Sequence, residues 1–207
     1  MSKSLNTLIA TLILASTGHA FAASSTDLTV RGLITPSACT PSLGNGGSIE
    51  LGKIASKDLK PDDFTWLGDF VTQVAVTCDA PTLMAIEPKD NRAGSEAMDQ
   101  SSYFGLGLIN GSEKLGSMSM FLEKIFADGQ ASRGIDSLDG GNTWERHFAI
   151  GPDRITSVAD NTTYAPIPVQ AFEAQMTVSP LIAPTRGLTL TEEVPIDGSV
   201  TLTVRYL

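Results

Sequence analysis

Two cysteines, Cys39 and Cys78, constrain the fold most, because they are the only cysteines among 207 residues. A strand-like segment, residues 27–38, leads into the first cysteine. The second cysteine ends an alternating segment, Phe70–Cys78, whose odd and even side chains would point to opposite faces of a sheet. A bond between the cysteines would tie two early strands together. Two separate buried thiols are the alternative, and the compartment decides between them.

The N-terminus has the three parts of a secretory signal. Lys3 supplies the positive charge, Leu8–Ala15 is an apolar run, and Ala20–Ala22 fits the small-x-small cleavage pattern. The apolar run is far shorter than the roughly 20 residues that a transmembrane helix needs. We therefore predict that residues 1–22 are a signal peptide and that cleavage falls between Ala22 and Ala23.

Export decides the cysteine question, because two cysteines pair in an oxidising compartment. We predict a Cys39–Cys78 disulfide, which would stabilise the fold by about 4 kcal/mol through loop closure. Residues 23–207 form a mature chain of 185 residues, enough for one domain. Without Lys3, the mature chain has 13 basic and 23 acidic residues, which gives a net charge of −10. That charge argues against nucleic acid or an anionic membrane as a partner.

Short alternating segments separated by glycine and proline predict an all-β, antiparallel sandwich or barrel. Turns are expected at residues 79–81 and at Asn110–Gly111, where a hairpin closes. Met118–Phe126 fits either a strand or a short helix. The predicted strands are residues 28–34, 48–51, 70–78, 82–86, 104–109, 169–178 and 200–206.

The last predicted strand has the clearest pattern. Val200, Leu202, Val204 and Tyr206 fall on one face, and the printed sequence ends one residue later without a polar tail. A terminal strand with an apolar face and an uncovered edge invites pairing with a strand of another chain. We expect this strand to take part in such an exchange.

Four motifs, in order, resemble those of the chaperone–usher fimbrial subunits of Gram-negative bacteria. Gly32 stands seven residues before Cys39. Gly47–Ile54 is similar to the "(D/E)LG-x-I" segment of that family, and Cys78 follows at the expected distance. Asp197–Leu207 resembles the family's last strand with its penultimate aromatic residue. The middle of the chain looks closer to a poorly characterised fimbrial-like branch than to a major pilin.

The resemblance implies an immunoglobulin-like antiparallel β-sandwich that lacks its last strand. A periplasmic chaperone would fill the resulting apolar groove, and a neighbouring subunit would replace it during assembly at an outer-membrane usher. By this analogy, the pairing strand is formed by Val200, Leu202, Val204 and Tyr206. The protein would pass through the periplasm to a fimbrium at the cell surface and contribute to cell adhesion, with a host or surface receptor as a further partner. It would need no cofactor and would not be an enzyme.

The mature N-terminus departs from this pattern. Only residues 23–27 precede the segment that matches the family's first strand, and five residues reach about 17 Å. Residues 28–34 cannot both donate to a neighbour and form the first strand of their own domain. Three interpretations stay open: the subunit does not donate, its own first strand starts later, or it is pilin-like and does not polymerise.

Other chemistry has weaker support in the sequence. His147 is the only histidine of the mature chain, so a catalytic triad or a zinc site would need partners from elsewhere. Asp136–Asn142 offers oxygen atoms but lacks the spacing of a calcium loop, and a turn is expected. Trp66 and Trp144 could stack on a sugar, although packing explains them better. A standalone secreted binding module or adhesin is therefore the alternative function.

Overall fold

The computed structural model describes residues 28–32 and 38–207. The chain divides into two compact units, residues 1–34 and 35–207. In the first unit, the described residues Leu28–Gly32 have no regular secondary structure and are exposed. The predicted signal peptide, with Ala22 and Ala23, lies outside the described residues.

The described residues of the second unit, 38–207, form strands and three short 3-10 helices, Gly44–Gly47, Ser56–Asp58 and Thr185–Gly187. No helix in the described ranges is long and apolar enough to cross a membrane. In chain order, the described strands are β1 (Cys39–Leu43), β2 (Thr65–Trp66), β3 (Phe70–Thr82), β4 (Met84–Asp90), β5 (Phe104–Gly105), β6 (Leu108–Ile109), β7 (Glu113–Lys114), β8 (Gly116–Ala127), β9 (Gln130–Ala131), β10 (Arg133–Ser137), β11 (Glu145–Arg146), β12 (Ala149–Ile150), β13 (Ile155–Ala159), β14 (Val169–Ile182) and β15 (Val200–Tyr206).

These strands form two antiparallel sheets, which confirms the predicted all-β sandwich. The first sheet has the order β1-β3-β14-β8-β12, with β2, β5 and β9 as short additions. The second sheet has the order β11-β10-β13-β4-β15, and β6 and β7 form a separate hairpin. The edge strands are therefore β1 and β12 in the first sheet, and β11 and β15 in the second sheet.

The core lies between the sheets and follows the alternation of the long strands. On β3, Val74, Val76 and Cys78 are buried, and their neighbours are mostly exposed. On β14, Phe172 through Val178 show the same alternation against β3 and β8. The ambiguous segment 118–126 is a strand inside β8, because it pairs with β14 along most of its length.

The predicted disulfide is confirmed. Cys39 and Cys78 are bonded, and they are directly opposite each other in the β1–β3 ladder. The bond joins the first residue of an edge strand to a buried position of the neighbouring strand. β1 is therefore held by five ladder pairs and by one covalent link.

Several local predictions were wrong. Leu28–Gly32 forms no strand, and residues 33–34 lie outside the described residues. Residues 48–51 form no strand either, because Asn45, Gly46 and Gly47 have positive φ and turn the chain away from β3. The turn expected at residues 79–81 is part of β3. Pro81 is tolerated there because the β1 ladder ends at Cys78, so no β1 residue needs its amide.

The Asn110–Gly111 hairpin is confirmed as the connection between β6 and β7. Asn110 has φ 50° and Gly111 has φ 84°, the left-handed conformation that favours these residue types in tight turns. Phe104–Ile109, which was predicted as one strand, is divided into β5 and β6 at Gly107, whose φ of 92° interrupts the pleat.

Candidate strand-binding groove

An apolar groove of about 760 Å³ opens at the edge where β1 and β15 lie side by side. Its floor consists of inward-facing side chains of β8, β14 and the β5–β8 region. One wall is the segment after β1, and the other is the segment that leads into β15. The floor residues are Leu106, Leu115, Met118, Met120, Met176, Val178, Pro180 and Ile182. The wall residues include Leu43, Ile49, Leu51, Ile54, Leu59, Leu190, Val194, Ile196, Val200 and Leu202.

The wall before β15 is fixed at both ends by side chains from distant parts of the chain. The Thr189 amide donates to Glu113 Oε2 at 2.6 Å, and Asn110 Nδ2 donates to the Thr189 carbonyl at 2.9 Å. The Thr189 amide is the main cause that lowers the pKa of Glu113 from its ordinary value. At the other end, the guanidinium of Arg92 forms two hydrogen bonds to the Asp197 carboxylate, which lowers the pKa of Asp197. Both ends of this wall are therefore fixed by specific hydrogen bonds.

The main chain of β15 has one paired edge and one open edge. The Leu207 amide donates to the Leu83 carbonyl at 3.1 Å, and the Asn91 amide donates to the Ser199 carbonyl at 3.0 Å. Because ladder bonds alternate in an antiparallel pair, the odd-numbered residues of β15 bond to β4. The amides and carbonyls of the even-numbered residues point away from β4. Within residues 28–32 and 38–207, no strand pairs with that second edge.

The edge of β1 that faces away from β3 differs in its chemistry. By the same alternation, the outward main-chain groups of β1 belong to Cys39, Pro41 and Leu43. Pro41 has no amide hydrogen, and the Cys39 amide donates to the Tyr206 hydroxyl at 3.0 Å. An added strand would therefore find a regular row of donors and acceptors on β15 but not on β1.

The structure divides the four residues that were predicted to pair with a partner strand. Val200 and Leu202 line the groove. Val204 is half-buried against the core, outside the groove lining. Tyr206 is 38% exposed and contacts β1 through its hydroxyl. Their pairing with a partner strand stays a prediction.

Sequence reasoning missed most of the groove. The three floor methionines, Met118, Met120 and Met176, alternate with polar or aromatic neighbours along β8 and β14. This alternation predicts that their side chains face the core. It does not predict that they line a groove. The two walls meet through Lys53 Nζ and Glu193 Oε2, 3.2 Å apart and 140 positions distant in the sequence. No local pattern predicts such a contact.

His147 lies at the opposite edge of the sandwich, in an ion network. Its Nδ1 is 3.0 Å from Asp136 Oδ2, which also accepts a hydrogen bond from Arg154 Nη1 at 2.7 Å. Arg154 in turn forms two hydrogen bonds to Asp153. The His147 ring thus contacts a carboxylate, a guanidinium and the Ala149 amide rather than a serine or cysteine nucleophile.

Asp136–Asn142 contains the expected turn. The Asp139 carboxylate accepts hydrogen bonds from the Asn142 and Thr143 amides, the Thr143 hydroxyl and the Ser137 hydroxyl. These donors hold the pKa of Asp139 far below its ordinary value, and the Thr143 hydroxyl has the largest effect. Within the described part of the chain, no group of three or more histidine, cysteine or acidic residues is arranged to hold a metal ion.

The two tryptophans differ in exposure. Trp144 is half-buried, and its Nε1 donates to the Gly141 carbonyl at 3.1 Å. Trp66 is 58% exposed, and its Nε1 donates to Asp69 Oδ1 at 3.3 Å. Packing therefore accounts for Trp144 but leaves more than half of the Trp66 surface exposed to solvent.

Comparison with known proteins identifies a family and two relatives that this chain resembles. The sequence pattern of a family described as protein of unknown function (DUF1120) matches residues 28–107, which contain both cysteines and the wall after β1. Protein GltF of Escherichia coli K12 is 26% identical over 224 residues, covering 88% of this chain and 88% of GltF. The uncharacterized protein YhcF of the same organism is 24% identical over 229 residues, covering 90% of this chain and 92% of YhcF.

Proposed function

We propose that this protein is a structural subunit, or a minor or tip component, of a chaperone–usher fimbria that contributes to cell adhesion. Assembly would take place by donor-strand complementation, in which another chain adds a strand to an incomplete immunoglobulin-like sandwich. The observation that supports the proposal is the coincidence of an apolar groove with the open edge of β15. The sequence resemblance to fimbrial subunits points to the same function.

The groove has the chemistry that strand addition requires. The outward main-chain groups of Val200, Leu202 and Val204 can bond to a new strand, which gives register. The alternate side chains of that strand would enter the apolar groove, and the other side chains would face solvent. A partner strand of seven residues, the length of β15, would extend about 23 Å.

The described N-terminal segment has the composition of a donor. Leu28 and Val30 are 90% and 87% exposed, and they share one parity with Gly32. The first described strand of the domain begins only at Cys39. Of the three interpretations that the sequence left open, this favours a first strand that starts later, which leaves Leu28–Gly32 free to add to a neighbouring subunit.

The proposed partners follow from this mechanism. An exposed apolar groove is an aggregation hazard, so a periplasmic chaperone would cover it after export. An outer-membrane usher and neighbouring subunits would then receive the chain, which would reside at the cell surface. A surface or host receptor would be the target of adhesion.

Completion of the groove within one chain tests the strand-acceptor part of this proposal. A copy of residues 26–36 would be attached behind Leu207 through a flexible linker. If its apolar side chains enter the groove, the free energy of unfolding should rise by at least about 2 kcal/mol, because apolar surface is removed from water. Urea unfolding measures the gain.

Neighbouring residues of β15 provide matched controls. Leu202→Glu places a charge in the groove and should abolish the gain, whereas Thr203→Glu lies on the exposed face and should preserve it. An attached strand that brings no stability would overturn the proposal. The fimbrial context is tested separately by surface labelling, which should fall to background in cells that lack the chaperone and usher.

A second candidate, a standalone secreted binding module, is favoured by the exposed ring of Trp66. Under this alternative, the chain lacking any attached strand would accumulate as a stable monomer. Trp66→Ala would then reduce retention on a glycan column while leaving stability unchanged, and Trp144→Phe would serve as the packing control. Aggregation of the unaccompanied chain would argue against this candidate.

A further inference from the structure

Charged residues at the groove are concentrated on its two walls. Of the residues that line the groove, the ionisable ones are Glu50 and Lys53 on one wall and Glu192 and Glu193 on the other. All four are exposed. Lys53 is paired with Glu193 at 3.2 Å, and Glu50 accepts a hydrogen bond from the Ser48 hydroxyl at 2.9 Å. We call these four residues the rim, which has three carboxylates and one ammonium group.

We infer that the rim selects a strand carrying a cationic side chain, and that Arg31 of a second copy of this chain is such a side chain. This inference rests on the proposed function, since it concerns the occupant of the same groove. It adds a way to distinguish between related partner strands by charge, which the shape of the groove does not supply.

The argument begins with parity. If Leu28 and Val30 of a second copy enter the groove, Arg31 lies on the opposite face of the strand. That face is the mouth of the groove, where the rim carboxylates are exposed. A guanidinium on a long apolar stem suits this position, because its planar donors match a carboxylate and its stem can cover apolar surface.

The floor gives little discrimination of its own. Met118, Met120 and Met176 all line the groove, and unbranched methionine side chains adapt to differently shaped neighbours. A strand with leucine, isoleucine or phenylalanine at the inward positions should therefore fit about equally well. Complementary charge then becomes the property by which related strands are distinguished.

Peptide binding tests the inference. Fluorescence anisotropy would measure binding of the full chain to labelled peptides of residues 26–36 with Arg31, Arg31→Gln or Arg31→Glu. At low salt we expect the Gln peptide to bind about threefold more weakly and the Glu peptide about tenfold more weakly, as exposed charge pairs allow. At about 0.5 M salt the differences should largely disappear through screening.

Variants of the rim separate charge recognition from other effects. The double variant Glu50→Gln with Glu192→Gln should bind all three peptides within about twofold, because the rim then keeps only the Lys53–Glu193 pair, which has no net charge. Glu145→Gln, an exposed change on β11 at the far edge, should preserve the ranking. Equal binding of the three peptides to the unaltered chain would overturn this inference and leave the proposed function intact. Failure of every peptide to bind would overturn both.

Discussion

The two edges of this sandwich differ: a connecting segment joins the two sheets at one edge, and a groove separates them at the other. At the far edge, β11 pairs in the second sheet, and β12, three residues later in the chain, pairs in the first sheet. The short connection through His147 and Phe148 crosses from one sheet to the other and closes that edge. At the near edge, β1 and β15 belong to different sheets, and the groove lies between them.

The closed edge is built around close backbone packing. A Cβ atom added at Gly134 would lie 2.8 Å from the His147 carbonyl oxygen, so the crossing segment requires glycine on β10. The Leu122 amide donates to the Phe148 carbonyl at 2.6 Å. The open edge has no equivalent segment among the described residues. The comparison indicates that the groove is a particular feature of one edge and not a general looseness of the fold.

The largest expected effect tests how β1 is held at the open edge. The double variant Cys39→Ser with Cys78→Ser should lower the free energy of unfolding by about 4 kcal/mol, because the unfolded chain regains the freedom of a large loop. Urea unfolding gives the value, and reduction of the unaltered chain should reproduce it. A loss below about 1 kcal/mol would mean that strand pairing alone holds this edge.

A pair of alanine substitutions compares the edges directly. Ile150 on β12 is completely buried, so Ile150→Ala should cost about 3 kcal/mol through lost contacts and a cavity. Leu202 on β15 is half-buried and faces the groove, so Leu202→Ala should cost only about 1 kcal/mol. Equal losses in thermal or urea unfolding would show that the groove is already filled.

The smallest effect concerns the anchor of the groove wall. The pKa of Glu113 is lowered from its ordinary value of 4.5, chiefly by the Thr189 amide. Its contribution to stability is therefore present above pH 4.5 and is lost as the pH falls through the lower folded-state value. Glu113→Gln should be less stable than the unaltered chain at pH 7, and the difference should shrink at acidic pH.

Hydrogen exchange around Thr189 can report the same change locally. Glu145→Gln, at the closed edge, serves as the control and should leave the exchange of this wall unchanged. A difference between Glu113→Gln and the unaltered chain that stays constant from pH 7 to pH 3 would contradict the proposed anchor, since a carboxylate must titrate over that range.

Sequence patterns predicted the long elements and failed at the short ones. Strands such as β3, β14 and β15 alternate over seven or more residues, so their buried faces could be read directly. The strands β11 and β12 have two residues each, too few to show a period, although they close an edge. The disulfide was predictable because the predicted export to an oxidising compartment would leave two cysteines little alternative to pairing.

The groove was only partly predictable for a physical reason. Its β15 side follows from the alternation of Val200 and Leu202, which the sequence shows. Its walls are irregular segments whose positions depend on contacts such as Arg92 with Asp197, 105 positions apart. The expected strand at residues 48–51 failed because three left-handed residues precede it; asparagine and glycine favour that conformation, but the direction in which it turns the following segment is set by the rest of the fold.

The contact between the Tyr206 hydroxyl and the Cys39 amide closes one end of the gap between β1 and β15. There the two edge strands touch, whereas beside Val200 and Leu202 they are separated by the groove. An added strand can therefore extend beyond the groove at the other end only. Under the proposed function, this contact would fix the register of the added strand in the same way at every joint between subunits.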